Sequence, residues 1–277
     1  GGGYVKCHHC LAETRLPPAC PDCGARLALF GPGTQRLEEE LARKFPELAA
    51  DRAVLRLDSD TMRGSRDYFS SLDRFAGGEV RLLLGTQMIA KGLDFPNVRL
   101  IGVVSADTAL FLPDFRAAER TFQLIAQVAG RAGRSAASAD ARVVVQTMNP
   151  SEPSIVAASR HDYVGFAERE LKIRSASGLP PAGRMARLVF RDRDFDAAAA
   201  AADRAAAAIR DAGAPGLRLH GPAPCALSRI DEHHRVGLDL IAPSAGPIQR
   251  ALTHLRNNHQ LKSDARVAVD VDPVSLL

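Results

Sequence analysis

Apolar residues recur along this chain at two periods, and the period switches where Gly, Pro and Ser cluster. Leu37, Leu41 and Phe45 stand at helical spacing behind Thr34, which reads as the N-cap of a helix running to Phe45. Acidic residues lead that helix and Arg43-Lys44 close it, the polarity a helix dipole favours. Val54 to Asp58 reads as a short strand, and Tyr68 to Phe75 as a helix stopped by Gly77-Gly78. Arg81 to Thr86 and Val98 to Ser105 are continuous apolar runs, the mark of strands buried on both faces. A long helix is expected from Ala117 to about Val128, and a further strand from Arg142 to Thr147. Strands alternating with helices in this way predict a parallel α/β sheet with helices on both faces.

The character changes after Asn149-Pro150-Ser151. A helix over 155–174 ending in basic residues leads to a Gly/Pro/Ser connector, Ser175 to Gly183. Then come a strand at Leu188-Val189-Phe190, an alanine-rich helix from Ala197 to Ile209, strands within Leu217 to Leu240, and a last strand at Val267 to Pro273. A strand, helix, strand, helix, strand order predicts a small α+β domain. Asp231-Glu232-His233-His234 reads as a polar hairpin turn rather than a metal site. Cys225, between Pro224 and Ala226, reads as an inert, half-buried thiol. The expected organisation is therefore three parts: 1–28, 29–150 and 151–277.

Composition narrows the class. With 277 residues, 46% hydrophobic and 25% charged, the chain has the make-up of a soluble globular protein large enough for two cores. No apolar run reaches the roughly 18 residues of a membrane span. A net charge of +4 is compatible with a nucleic-acid partner without pointing to one, and aromatics at 5% leave few rings for base stacking.

Four of the five cysteines fall near the start, as Cys7-His8-His9-Cys10 and Cys20-Pro21-Asp22-Cys23-Gly24. Two Cys-x-x-Cys knuckles supply four thiolates, the full tetrahedral shell of a structural zinc site. The other readings are a redox pair or plain buried cysteines. Four thiolates would leave no open position for catalysis, and so short a segment would fold only with its metal.

A second constellation is Gln127-Val128-Ala129-Gly130-Arg131-Ala132-Gly133-Arg134. Two arginines three residues apart on a helix would point the same way, each beside a small residue that lets a bulky anion approach. They read either as a phosphate clamp of the arginine-finger kind or as a basic helix end closed by glycines.

Three features now coincide. Gly85-Thr86 followed by Gly92-Leu93-Asp94-Phe95-Pro96 resembles motif V of superfamily 2 helicases, and Gln127…Gly130-Arg131…Gly133-Arg134 resembles their motif VI. Between them, Pro113-Asp114-Phe115-Arg116-Ala117-Ala118-Glu119-Arg120-Thr121-Phe122-Gln123-Leu124 closely resembles the primosomal replication-restart helicases, as do Gly31 to Glu38 and Asp270-Val271-Asp272-Pro273. The resemblance covers nearly the whole chain, in the right order. It implies a RecA-like second helicase lobe, a zinc-ribbon-like four-cysteine segment before it and an α+β domain after it. It further implies ATP-driven 3′-to-5′ opening of forked or branched DNA and of single-stranded arms, in bacterial cytoplasm at the nucleoid. Primosome proteins and single-strand-binding protein would be the partners of a monomeric enzyme without membrane contact.

By that likeness, Arg134 would be the finger, Arg131 a second γ-phosphate contact, and Gln127 a nucleotide contact. Gly92 and Asp94 would link nucleotide to DNA. Gly85, Thr86, Thr34 and Gln35 would touch the DNA backbone. Cys7, Cys10, Cys20 and Cys23 would bind Zn2+. The family carries four cysteine pairs on two nested ions, which would assign Cys7/Cys10 and Cys20/Cys23 to different ions with partners upstream. No Gly-x-x-x-x-Gly-Lys-Thr/Ser loop occurs in this sequence, and its one Asp-Glu-x-His string, Asp231-Glu232-His233-His234, is the stretch read above as a hairpin turn in the C-terminal part. ATP and Mg2+ would thus be held mainly by another lobe, and the chain alone would be inactive. Ser105 stands where the family usually carries Asp. A non-enzymatic zinc and DNA/primosome interaction module is the alternative.

Overall fold

The computed structural model describes residues 4–6, 13–15, 19, 24, 33–50, 53–57, 65–86, 95, 97–131, 140–261 and 266–276. The chain divides into two compact units. One comprises Ala28–Phe111 and Ala118–Tyr163; the other comprises Gly1–Leu27, Leu112–Ala117 and Val164–Leu277. Near the start of the chain, β1 (Tyr4–Lys6) and β2 (Glu13–Arg15) pair antiparallel.

In the lobe formed by the first unit, helix α1 (Thr34–Lys44) is followed by the short α2 (Pro46–Ala50) and packs on strands β3 (Val54–Leu57) and β4 (Leu82–Gly85). Gly33, not Thr34, is the N-cap of α1, and no side chain caps it. Thr34 is the first helical residue, so its hydroxyl is one position too late to satisfy the helix's leading N–H groups. An ion pair of 3.2 Å from Arg56 Nε to Glu38 Oε2 ties α1 to β3. Strands β3 and β4 run parallel with Val54 opposite Leu82 and Leu57 opposite Gly85. Helix α3 (Ser65–Ala76) joins them and buries Leu72. Strand β5 (Leu100–Val103) pairs in parallel with β6 (Arg142–Val145). Between these two in the chain lie the short helix α4 (Asp107–Leu110) and the long α5 (Ala117–Ala129), which buries Thr121, Phe122 and Ile125.

Among the described residues the parallel strands form two separate two-stranded pairs. The cover expected on both faces is not met at β5–β6. There burial alternates: Leu100 and Val144 are 67% and 57% exposed, while their neighbours are half-buried. A continuous apolar run does not reveal that alternation, because the side chains of a strand take opposite faces whatever their chemistry.

The helix expected over 155–174 is two helices, α6 (Pro153–Ser159) and α7 (Tyr163–Ser177). His161 takes φ of 54° and breaks the run; no Gly or Pro signals the break.

The second unit carries a four-stranded antiparallel sheet built from β7 (Arg184–Asp192), β8 (Arg218–Ile230), β9 (His233–Ala242) and β10 (Val267–Val271), in the order β10-β7-β9-β8. Helix α8 (Phe195–Asp211) follows β7, and α9 (Ala245–Asn257) follows β9. The order is β-α-β-β-α-β, one strand more than the sequence predicts. It is the split βαβ arrangement, with β9 inserted between β7 and β8. The polar hairpin turn expected at Asp231–His234 is present, but it is confined to Asp231-Glu232, both at positive φ (46° and 65°); His233 and His234 open β9, and the 217–240 stretch becomes two paired strands. Ala186, Leu188 and Phe190 of β7 alternate onto one face with Val236, Leu238, Leu240 and Ala242 of β9. Ala198, Ala202, Ala205, Ala206 and Ile209 line the facing side of α8, so small side chains let the helix lie close to the sheet. Asp194 caps α8, accepting a hydrogen bond from the Asp196 N–H at 2.9 Å. Cys225 is buried rather than half-buried, with its sulfur beside Gly237.

Candidate functional site

The carboxyl ends of parallel strands are where open α/β sheets place ligands. Gly85 ends β4 there, and Thr86 follows it, exposed in a bend. Helix α1, which begins with Thr34 and Gln35, packs on β3 and β4. Thr34 is half-buried. Gln35 is exposed and donates from Nε2 to Glu39 Oε1 at 3.2 Å, so its amide already bonds within its own helix.

Helix α5 delivers the arginine motif. Gln127 lies exposed in its last turn. The helix stops at Ala129, the Gly130 N–H bonding to Ala126 O at 3.0 Å and the Arg131 N–H to Val128 O at 3.1 Å. Arg131 therefore sits in the turn after the helix, half-buried. Arg131 thus lies beyond α5, and the helical face expected to carry both Arg131 and Arg134 falls outside the described residues. Arg134 lies outside the described residues, as do Gly92, Asp94, Cys7, Cys10, Cys20 and Cys23. Residues 7–12, which carry the first cysteine knuckle, connect the paired strands β1 and β2.

Two buried carboxylates, one in each unit, are not singled out by composition or spacing. Asp107 opens α4 just beyond β5 and is 1% exposed. Its Oδ1 accepts from Thr147 Oγ1 and Asn149 Nδ2, and its Oδ2 from the Met148 N–H, each at 2.9 Å. The three donors lie just beyond β6 in the chain, so one carboxylate ties the carboxyl ends of both strands. Burial alone pushes this carboxyl up; hydrogen bonds from Met148, Asn149 and Thr147 outweigh it and hold the carboxyl below its ordinary range. Nearby, the Ser105 hydroxyl lies 2.9 Å from that of Thr108.

Asp114 lies in the other unit, 8% exposed. Its Oδ1 accepts from the Arg116 N–H at 2.9 Å, and its Oδ2 from the Leu276 N–H at 3.0 Å and the Ser275 hydroxyl at 3.4 Å. Next to it the Phe115 ring has the guanidinium of Arg116 at 5.4 Å and that of Arg174 at 5.2 Å. The only sequence signal for Asp114 is its place in the Pro113–Leu124 run.

Two stretches of this chain match known protein families in sequence. Residues 15–136 match the helicase conserved C-terminal domain, and residues 175–274 match the primosomal protein N C-terminal domain. The class is thus a helicase C-terminal lobe linked to a primosomal C-terminal domain. The chain is 38% identical over 276 residues to the replication restart protein PriA of Treponema pallidum, covering 99% of this chain and 41% of that protein. It is 36% identical to PriA of Bacillus subtilis, covering 100% and 34%, and 38% identical to PriA of Haemophilus influenzae, covering 98% and 37%. The chain belongs to the PriA replication-restart family and spans about two-fifths or less of the length of these relatives.

Proposed function

We propose that this chain supplies the second half of the ATP site and part of the DNA track of an ATP-dependent 3′-to-5′ DNA helicase that restarts replication at stalled forks. The observation that carries this reading is similarity to PriA proteins along nearly the whole of this chain, combined with the Gln127…Arg131…Arg134 sequence motif that begins in the last turn of α5.

In this reading Arg134 reaches the γ-phosphate as the finger, while Arg131 and Gln127 make the supporting contacts. A guanidinium is always charged and its forked donors fit a phosphoryl group that gathers negative charge as it transfers. Placing that group after a helix, on a lobe separate from the one that binds the phosphates, makes hydrolysis depend on lobe closure. Gly92 and Asp94 join the nucleotide to the DNA contacts. Thr34, Gln35, Gly85 and Thr86 meet DNA phosphates, which position a strand without reading its sequence. A Walker A loop elsewhere in the full protein binds ATP and Mg2+.

Cys7, Cys10, Cys20 and Cys23 suit Zn2+ by their chemistry: two knuckles of soft thiolates, the first between paired strands. Bound zinc supplies structural cross-linking and no chemistry at the nucleotide. Forked and single-stranded DNA, primosome proteins and single-strand-binding protein are the partners this reading assigns to a monomeric, cytoplasmic enzyme at the nucleoid. No helix of the described residues is long and apolar enough to cross a membrane.

Comparing DNA-stimulated ATP hydrolysis by this chain alone and by the full-length protein tests the reading. The full-length protein is expected to turn over and the chain alone to show none. Equal turnover would contradict the division of the ATP site, and no turnover by the full-length protein would favour a non-enzymatic interaction module.

A further inference from the structure

The antiparallel sheet of the C-terminal domain ends in two edge strands, β8 and β10, and their sequences differ in kind. A strand edge presents unpaired N–H and C=O groups that invite another strand, and proteins blunt such edges with proline, bulges and charge. Edge β8 carries all three. Pro222 and Pro224 lie within it, and Arg218 and Arg229 are exposed on it. Its register against β9 breaks between His220 and Ala223 and again between Pro224 and Arg229. Edge β10 carries almost none of this. Its residues, Val267-Ala268-Val269-Asp270-Val271, hold an unbroken register against β7 with no Gly, no Pro and a single charge.

Hydrogen bonds at its two ends define the outer side of β10. The Arg191 N–H bonds to Arg266 O at 2.7 Å, and the Asp272 N–H bonds to Met185 O at 2.8 Å. Bonded and non-bonded pairs alternate along an antiparallel ladder, so the even-numbered residues turn their backbone groups to β7. The N–H and C=O groups of Val267, Val269 and Val271 therefore point outward. Among the described residues no strand pairs with that side. The side chains of these valines lie on the sheet face that carries the helices. Val267 packs against the core there, while Val269 and Val271 are 37% and 55% exposed. Outward backbone groups thus stand beside a row of apolar side chains, the combination that strand addition uses.

We propose that β10 is a docking edge for the same strand of a second copy of this chain. Antiparallel pairing about a two-fold axis at Val269 sets Val269 against the partner's Val269 and Val267 against the partner's Val271. It joins two four-stranded sheets into one and extends the apolar row across the junction. The charges allow it. Asp270 falls opposite the partner's Ala268, so no carboxylate directly faces another. Its diagonal neighbours are the partner's Arg266 and the partner's Asp270, one of each sign. So short a strand covers far less than the roughly 1,200 Å² that stable interfaces bury, which puts the dissociation constant on the order of 10⁻⁴ M. Dilute protein stays monomeric, and copies pair where they crowd. The pairing uses no residue assigned to the nucleotide or DNA contacts.

The test is sedimentation equilibrium of the full-length protein from about 1 µM to about 500 µM, with amide hydrogen exchange measured at both ends of that range. The unaltered protein is expected to pass from monomer to dimer. The amides of Val267, Val269 and Val271 should exchange freely in dilute protein and slow by about 3-fold at the high concentration. Those of Ala268 and Asp270, which face β7, should stay slow throughout. Val269→Lys puts a charge on the edge and should weaken association by about 10-fold or more. Val269→Pro removes an outward donor without touching a bond to β7, and should do the same; it keeps the test decisive if the lysine disturbs the fold. A protein that sediments as a monomer throughout, with its outward amides fast at both concentrations, would overturn the proposal. So would a dimer that both variants leave intact. Outward amides that are slow even in dilute protein would put another segment on this edge, and that result would overturn pairing between copies.

Discussion

The two units keep their order by different means. In the C-terminal domain, Leu188, Leu238, Leu240 and Leu255 are completely buried in a core padded with alanines from α8. In the lobe, the described strands are four residues long, and the β5–β6 pair turns Leu100 and Val144 outward. What joins the carboxyl ends of that pair is a buried carboxylate with three donors, Asp107. One unit is held in its core by apolar packing, which carries no titrating group. The other is held at its ligand end by a polar network, which is sensitive to pH and to single atoms.

The largest test of this contrast is a cavity in the apolar core. Leu238→Ala or Leu240→Ala should cost about 2–5 kcal/mol, and exchange in β7 and β9 should rise far more than in β5 and β6. Equal loosening of both units would break the contrast. Asp107→Ala comes next. It removes the buried acceptor of the part-buried donors from Thr147, Met148 and Asn149, at a cost of about 1–3 kcal/mol. The loss should be local to the lobe, seen as faster exchange at Gln146–Asn149 with the C-terminal domain unchanged.

The pH response sharpens the comparison because two buried aspartates shift in opposite directions. Asp107 is held below its ordinary value, so its stabilisation is present above the unfolded-state value and is lost as pH falls through the lowered one. Asp239, on β9, is pushed up by burial, which outweighs the pull of Arg187 and His220. A raised acid contributes stability at pH below its unfolded-state value and loses it as pH rises through the raised one. Acidification should therefore loosen the lobe at Asn149 while Asp107→Asn abolishes that dependence; exchange measured from neutral to acidic pH follows both units at once. The smallest effect is expected at the hairpin turn. Glu232 adopts φ of 65°, a region costing about 1 kcal/mol for a residue with a Cβ. Glu232→Gly should recover part of that, raising the denaturation midpoint slightly. Its ion pair with Arg193 lies between exposed side chains and contributes little.

Periodicity alone predicts most of the longer helices and strands, because 3.6- and 2-residue patterns are local, but it marks no range for β1, β2, α2, α4 or α9. Three features escape it for local reasons. Gly33 rather than Thr34 caps α1. His161 breaks a helix without Gly or Pro. Helix α5 ends at Ala129, before Arg131. Others escape for long-range reasons. Asp107 is bonded 40 to 42 residues away and Asp114 is bonded 161 and 162 residues away, and no pattern within a window carries such pairs. The arginine motif is legible from its residue types; the partners of Asp107 and Asp114 are not.

The central claim is that Arg134, at the end of this motif, completes an ATP site. The most direct measurement is DNA-stimulated ATP turnover by the full-length protein carrying Arg134→Ala. The account predicts a kcat lower by roughly 10³- to 10⁵-fold with the fold and DNA affinity retained. A kcat equal to that of the unaltered protein would contradict it.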